Sequence, residues 1–377
     1  MNGVAQQLRL VPFLDLAPTT SEVRERVISM WQEVLDRTAY VGGPYVQDFE
    51  QRFAAYCGTS EAIGVGNGTD AIQLGLRALG IGAGDEVIVP ANTFVATVEA
   101  IVLAGARPRF VDVDPDTLLI TADAVRAAVT PATRAVIVVH LYGQLPDMDS
   151  LTETASALGL VLIEDAAQAH GASWRGRRAG SFGAVGCFSF YPGKNLGAFG
   201  DAGAVTTSHP EVAAKLRAMR DHGRAAGSHH SHEELGTNSR LDTMQAIVLD
   251  AKLDRLEAWN RSRRRLANAY RNLLTDSRAV PVAELPRSRG AHHLAVVQVD
   301  RRDEVRQRLA SQGVVTGIHY PTPCHLMRPY RQYADRDFPV AERAAGRVLS
   351  LPLHPHLSME DVAYVADRLR EVTGSWG

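Results

Sequence analysis

Lysine is nearly absent from this chain: of 40 basic residues only three, at 194, 215 and 252, are lysines, and arginine supplies the rest. Cysteine is equally scarce. Cys57, Cys187 and Cys324 are odd in number and widely separated, which fits neither a disulfide framework nor a metal cluster and suits a reducing cytoplasm. Neither sign of charge dominates, with a net of -2, so nothing electrostatic draws the protein to nucleic acid or to an acidic membrane. Long apolar runs are missing too, since none approaches the ~20 residues of a membrane helix. The opening MNGVAQQLRLVPFLDLAP lacks a charged head followed by an unbroken apolar core, so no signal peptide is expected. There are no internal repeats or low-complexity tracts. What is left, 377 residues with 45% hydrophobic and 22% charged side chains, is an ordinary globular composition with room for one large and one smaller domain.

From residue 62 onward, short apolar runs alternate with helical text. AIGV (62–65), EVIV (86–89), PRFVDV (108–113), AVIVV (135–139), LVLIE (160–164), VGCFSF (185–190) and GAVTT (203–207) read as strands. Several are apolar nearly throughout, as strands covered on both faces should be. TDAIQLGLRAL and DAVRAAV, lying between them, carry the helical period. The order predicts an α/β region with a mostly parallel seven-stranded sheet flanked by helices. MQAIVLDAKLDRLEAWNRSRRRLANAYRNLL is long, amphipathic and nearly free of breakers, and reads as a connecting helix. Beyond it HLAVVQV, RDEVRQRLASQG and VVTGIHY read as strand, helix and strand, and SMEDVAYVADRLREV as a closing helix capped by Ser358. A large domain over 1–250 and a smaller α/β domain over 251–377 are therefore expected.

In an open α/β sheet, ligands bind at the carboxyl ends of the strands, and three of those ends carry telling residues. The first strand runs into GNGTD and a helix. Glycines there let the backbone approach a ligand, and the free amides of a helix N-terminus favour an anion such as phosphate. A dinucleotide fingerprint fails, because Thr69 stands where G-x-G-x-x-G requires its third glycine. LVLIE ends in DAAQAHGA, where Asp165 either faces a cation or a protonated ring nitrogen, or merely caps the segment that follows. GCFSF delivers Ser189 and, five residues on, Lys194 in a glycine-rich turn. Arginine stays protonated, whereas a lysine that loses its proton is an amine able to attack a carbonyl. Lys215 and Lys252 lie in polar helical text and read as solvated cations, as does the basic run RSRRR (261–265). A phosphate loop, a strand-end carboxylate and a lone amine on one sheet are the parts of a pyridoxal phosphate site. The histidine-rich GRAAGSHHSHEELG matches no zinc spacing and reads as a mobile loop.

VGNGTDAIQLGL, VPANTFVATVEAI, FVDVDPDTLLI, VHLYGQLPDMDSL, IEDAAQAHGA, SFYPGKNLGAFGDAG and GTNSRLDTMQAIVLDAKL resemble the DegT/StrS-type sugar-nucleotide aminotransferases, which are fold type I pyridoxal phosphate enzymes. The resemblance runs from VPFLDL through HYPTPCH into the small domain. It implies that Lys194 forms the Schiff base with pyridoxal 5'-phosphate and then shuttles protons. By the same resemblance Asp165 pairs with the pyridinium, Gln168 contacts the ring's phenolic oxygen and Phe94 stacks on the ring. Gly68, Thr69 and Ser189 are expected to hold the phosphate. Asn238 is expected to reach the other subunit's phosphate in a homodimer with shared sites, and Tyr320 and His325 to lie near the substrate. For Phe94 and Tyr320, ordinary core packing is the alternative.

The reaction implied moves an amino group from an amino acid, expected to be glutamate, through the pyridoxamine 5'-phosphate form to a keto sugar on a nucleoside diphosphate. Its setting would be amino-sugar biosynthesis for a glycosylated natural product such as an antibiotic. HLYGQLPDMDSL followed by EDAAQAHGA is more similar to relatives acting at carbon 3 of a dTDP-linked 6-deoxy keto sugar than to those acting at carbon 4 of a hexose or pentose. The histidine-rich loop near 229–232 is expected to contribute to that choice. Lys194 argues against the branch that dehydrates sugars and carries histidine at this position. Two rivals remain, an NAD-dependent dehydrogenase and a non-catalytic regulator on the same scaffold. The broken glycine fingerprint disfavours the first, and the intact lysine, aspartate and serine set disfavours the second.

Overall fold

The computed structural model describes residues 9–228 and 230–374. All seven apolar runs form strands: β1 (Glu61–Val65), β2 (Glu86–Pro90), β3 (Arg107–Val111), β4 (Thr133–Val139), β5 (Val161–Asp165), β6 (Val185–Ser189) and β7 (Gly203–Thr207). They lie in the order β1-β7-β6-β5-β4-β2-β3. Pairing is parallel from β3 through β6, and β7 runs antiparallel to both β1 and β6. The helices of this region are α1 (Ala17–Arg37), α2 (Pro44–Cys57), α3 (Gly68–Ala78), α4 (Val95–Leu103), α5 (Ala122–Ala128), α6 (Met148–Ala157), α7 (Pro210–Met219) and α8 (Thr243–Leu273). Local chemistry sets their ends: α2, for instance, opens on Pro44 and stops at Gly58 in the left-handed region, the proline-first, glycine-last asymmetry of helices.

Alternation along the strands divides the interior into two cores. On β4, Ala135, Ile137 and Val139 join Leu74 of α3 and Ile101 of α4 on one side of the sheet. Val136 and Val138 join Phe53 of α2 and Leu249 of α8 on the other. Both faces are thus covered, which is why these strands read as unbroken apolar runs.

A third core contains Leu266 and Tyr270 of α8, Val297, Leu309, Leu351, Leu369 and, from the opposite end of the chain, Val11. It packs around an antiparallel sheet, β8 (Val280–Pro281), β9 (Ala295–Gln298) and β10 (Val348–Leu351) in that order. Helices α9 (Arg302–Ser311), α10 (Pro339–Arg347) and α11 (Met359–Gly374) complete the region. Ser358 caps α11 by accepting from the Asp361 amide at 3.0 Å.

Two sequence expectations are corrected. VVTGIHY is not a ladder strand, because it is held by single bridges, Val11 to Val314 and Gly317 to Ser350. The paired strand is instead Val348–Leu351. The expected connecting helix is α8, which contains the expected boundary at 250/251 and whose residues serve the large-domain core and the third core in turn. Lys252 and Arg263 are not solvated: both are buried, Lys252 donating to the Gly197 carbonyl at 2.6 Å and Arg263 to that of Leu353 at 3.0 Å. Burial lowers their pKa values to about 8 and about 10, since removing a cation from water disfavours its charged form. Polar letters around position 252 concealed an inward-facing position on a helix that is covered along much of its length.

Candidate active site

The carboxyl ends of the parallel strands open onto a cavity of about 300 Å³, and eight of the ten residues expected at the site line it: Gly68, Thr69, Phe94, Asp165, Gln168, Ser189, Lys194 and Tyr320. At one end β1 turns into α3. Asn67 caps the helix, its side chain accepting from the Asp70 amide at 2.8 Å, so the first-turn amides point to the cavity end where an anion belongs. Gly68 has to be glycine, because a Cβ there would lie 2.6 Å from the Cβ of Ser189. The loop is braced from behind by Ser239, which accepts from the Gly66 amide at 2.9 Å and donates to Asp70 Oδ2 at 2.6 Å.

Asp165 closes β5 and is buried. Its Oδ2 accepts from the Thr97 hydroxyl at 2.7 Å and its Oδ1 from the Ala167 amide at 3.2 Å. Its neighbour Glu164 faces the other side of the sheet, where it accepts from the Gly180, Phe182 and Gly183 amides and bonds His140 Nε2 at 2.8 Å. The strand's period of two therefore gives adjacent carboxylates separate tasks, one bracing a loop and one facing the cavity.

Gln168 is fixed in orientation by its partners. Its Oε1 accepts from the Tyr142 amide at 2.6 Å and its Nε2 donates to the Tyr320 hydroxyl at 3.0 Å. Tyr320 packs against Phe94, ring centres 5.2 Å apart. Lys194 keeps some exposure along the cavity wall, yet its amine is enclosed closely enough that desolvation lowers its pKa to about 8, with Asp165 opposing the shift. Among the described residues no hydrogen-bond or ion-pair partner takes this amine.

Two expected residues lie elsewhere. His325 is corrected: it is buried beyond the cavity, bonded through Nε2 to Glu342 at 3.0 Å and packed on Phe338 and Phe110, so its position offers contact with core neighbours rather than with a ligand in the cavity. Asn238 is exposed and outside the lining, in a lone bridge with Asp221. His229 lies outside the described residues, and His230 and His232 do not line the cavity. Sequence reasoning missed Asn67, Thr97 and His140. Asn67 was legible as a cap preceding helical text, but nothing along the chain announces that a hydroxyl on α4 meets a carboxylate on β5.

A glycine cradle against a helix end, a carboxylate and an unpartnered amine of lowered pKa fit pyridoxal 5'-phosphate, and together with the sheet they define a fold type I transferase that works with this cofactor. The chain belongs to the DegT/DnrJ/EryC1/StrS aminotransferase family, which matches residues 21–370, and it is an aminotransferase. It is 47% identical over 365 residues to a dTDP-3-amino-3,4,6-trideoxy-alpha-D-glucose transaminase of Streptomyces venezuelae, covering 96% of each chain. Its fold matches the crystal structure of S. venezuelae DesV in complex with a ketimine intermediate at TM-score 0.94 and 46% identity, covering 98% of this chain and 100% of that one. It also matches NtdA of Bacillus subtilis with bound cofactor PMP at TM-score 0.91 and 32% identity, covering 98% and 87%.

Proposed function

We propose that the protein aminates carbon 3 of a nucleotide-linked 3-keto-6-deoxy sugar, with dTDP the nucleotide and L-glutamate the amino donor. One observation carries the reading: a single cavity joins the helix end at Gly68 and Thr69, the Asp165 carboxylate and the Lys194 amine. Bound pyridoxal phosphate supplies an electron sink and an amino carrier. The chain's own residues do the rest. Gly68, Thr69 and Ser189 hold the phosphate at the helix end. Asp165, steadied by Thr97, keeps a proton on the pyridine nitrogen. Gln168 has spent its oxygen on Tyr142 and one amide hydrogen on Tyr320, so its second hydrogen remains to donate to the ring oxygen. Phe94 would cover the ring, and Lys194 Nζ, which faces the same cavity, would take up and return the proton of the donor's α-carbon.

The substrate rests on likeness to the S. venezuelae transaminase, whose named product carries its amino group at carbon 3. Offering 3-keto and 4-keto dTDP sugars separately with glutamate, and reading products by mass spectrometry, should show amination of the 3-keto isomer. Turnover of the 4-keto isomer alone would move the chemistry to carbon 4.

We further infer a homodimer with shared sites, because Asn238, which the resemblance assigns to the other subunit's phosphate, is exposed and lies outside the lining of this chain's own cavity. Mixing inactive Lys194→Ala with an inactive Asn238→Ala variant should restore part of the activity, since each heterodimer holds one intact site. Complete inactivity after verified subunit exchange would exclude sharing.

A further inference from the structure

Two of the chain's three lysines meet under the same turn. Lys194 and Lys252 line one narrow space together with Asn195 and Gly197, and the proposed mechanism gives Lys252 nothing to do. Its Nζ donates to the Gly197 carbonyl at 2.6 Å and lies 4.5 Å from the centre of the Phe199 ring. Gly197 is itself folded tightly back, since a Cβ there would fall 2.3 Å from the Pro192 carbonyl oxygen. The neighbours of this contact repeat the pattern along α8. Gln245 Oε1 accepts from the Phe199 amide at 2.8 Å, and Asn260 Oδ1 accepts from the Asn195 side-chain amide at 2.9 Å. Positions 245, 252 and 260 are seven and eight residues apart, two turns at a time, so they fall on one stripe of the helix. They meet residues 199, 197 and 195, alternate positions of a segment running in the opposite direction.

We propose that this stripe of α8 positions Lys194, with Lys252 as its central residue. The proposal rests on the reading of Lys194 as the cofactor lysine. Buried polar groups are expensive unless bonded; Lys252 and Asn260 are buried and Gln245 is half-buried, and each is bonded to the segment that immediately follows Lys194. An arginine at 252 would bring a longer, forked head to a space shaped for one amine, which accounts for lysine persisting here in an arginine-rich chain. Gly197 contributes its carbonyl rather than a side chain, so the hold acts on the backbone three peptide links on from the Lys194–Asn195 link. Placement of the reacting amine, rather than binding of substrate, is what the stripe governs.

The test is Lys252→Met, which keeps the length of the side chain and removes the donor. In the cofactor-free protein, hydrogen exchange of the backbone amides at 194–199 should quicken at least tenfold while β4 and β5 stay protected. In the loaded enzyme kcat should fall by about 10- to 100-fold, the range that a misplacement of ~1 Å produces, with KM for both substrates unchanged and borohydride still fixing the cofactor to the protein. Unchanged exchange at 194–199, or a loss confined to KM, would overturn the proposal. Should the methionine variant not fold, Gln245→Ala carries the same readouts and the same overturning results. Lys194→Ala keeps the two readings apart: if borohydride still fixes the cofactor in that variant, the identity of the cofactor lysine fails, whatever position 252 does.

Discussion

Lys194→Ala should lose turnover by about 10⁴-fold or more, the scale seen when a covalent nucleophile is removed, while the fold survives. The side chain has no hydrogen-bond partner among the described residues, so truncation leaves no group of the protein unsatisfied. Borohydride should no longer fix the cofactor to the protein, and persistence of that fixation would remove Lys194 from its role. In the wild type the lowered pKa makes a companion measurement possible. With a pKa of about 8, the neutral fraction of the amine rises from about a tenth at pH 7 to about nine-tenths at pH 9. The sign follows from burial, which disfavours the ammonium form. Covalent uptake of pyridoxal phosphate by the cofactor-free protein should therefore quicken about tenfold across that interval and level off above it. An ordinary lysine would still be accelerating at pH 9.

Asp165→Asn should lower kcat by about 10²- to 10³-fold, comparable to removing one well-placed electrostatic group from an active site. The substitution changes charge with little change of shape. An asparagine oxygen still accepts from the Ala167 amide, and the Thr97 hydroxyl, which also bonds Thr93 at 2.8 Å, is free to turn and accept from the new amide. What is lost is the negative charge that keeps a proton on the pyridine nitrogen, so cofactor affinity should fall less than turnover. Single-turnover rates with glutamate that match wild type would place Asp165 outside the mechanism.

Much of this site could be read from the chain because its residues sit at strand ends, where local patterns place them. Asp165 and Ser189 close two apolar runs, and Lys194 follows in a turn rich in glycine. Long-range partners could not be read in that way. Thr97, 68 residues earlier in the chain, meets Asp165 from a helix on the same face of the sheet, and Lys252 turns inward from a helix whose polar lettering suggests solvent. His325 failed for the opposite reason: proximity in sequence to Tyr320 said nothing about a backbone that carries Tyr320 to the cavity and the histidine to a pair of phenylalanines. The strand expected at VVTGIHY failed because apolar content alone does not distinguish a ladder from a segment bridged one residue at a time.

Helix α8 has a bearing on how this protein is divisible. Its first half is walled by the large-domain core and its second half by the third core, with no glycine or proline between Thr243 and Leu273 to act as a joint. Cutting the chain at 250 would strip Leu253 and Leu256 from the core that holds Phe53 and Leu249, and leave Leu266 and Tyr270 on a fragment that has lost the leading turns of its helix. A chimera joined at that point would take the first eight residues of this 31-residue helix from one chain and the rest from another, whereas one joined before Thr243 carries the whole helix as a unit.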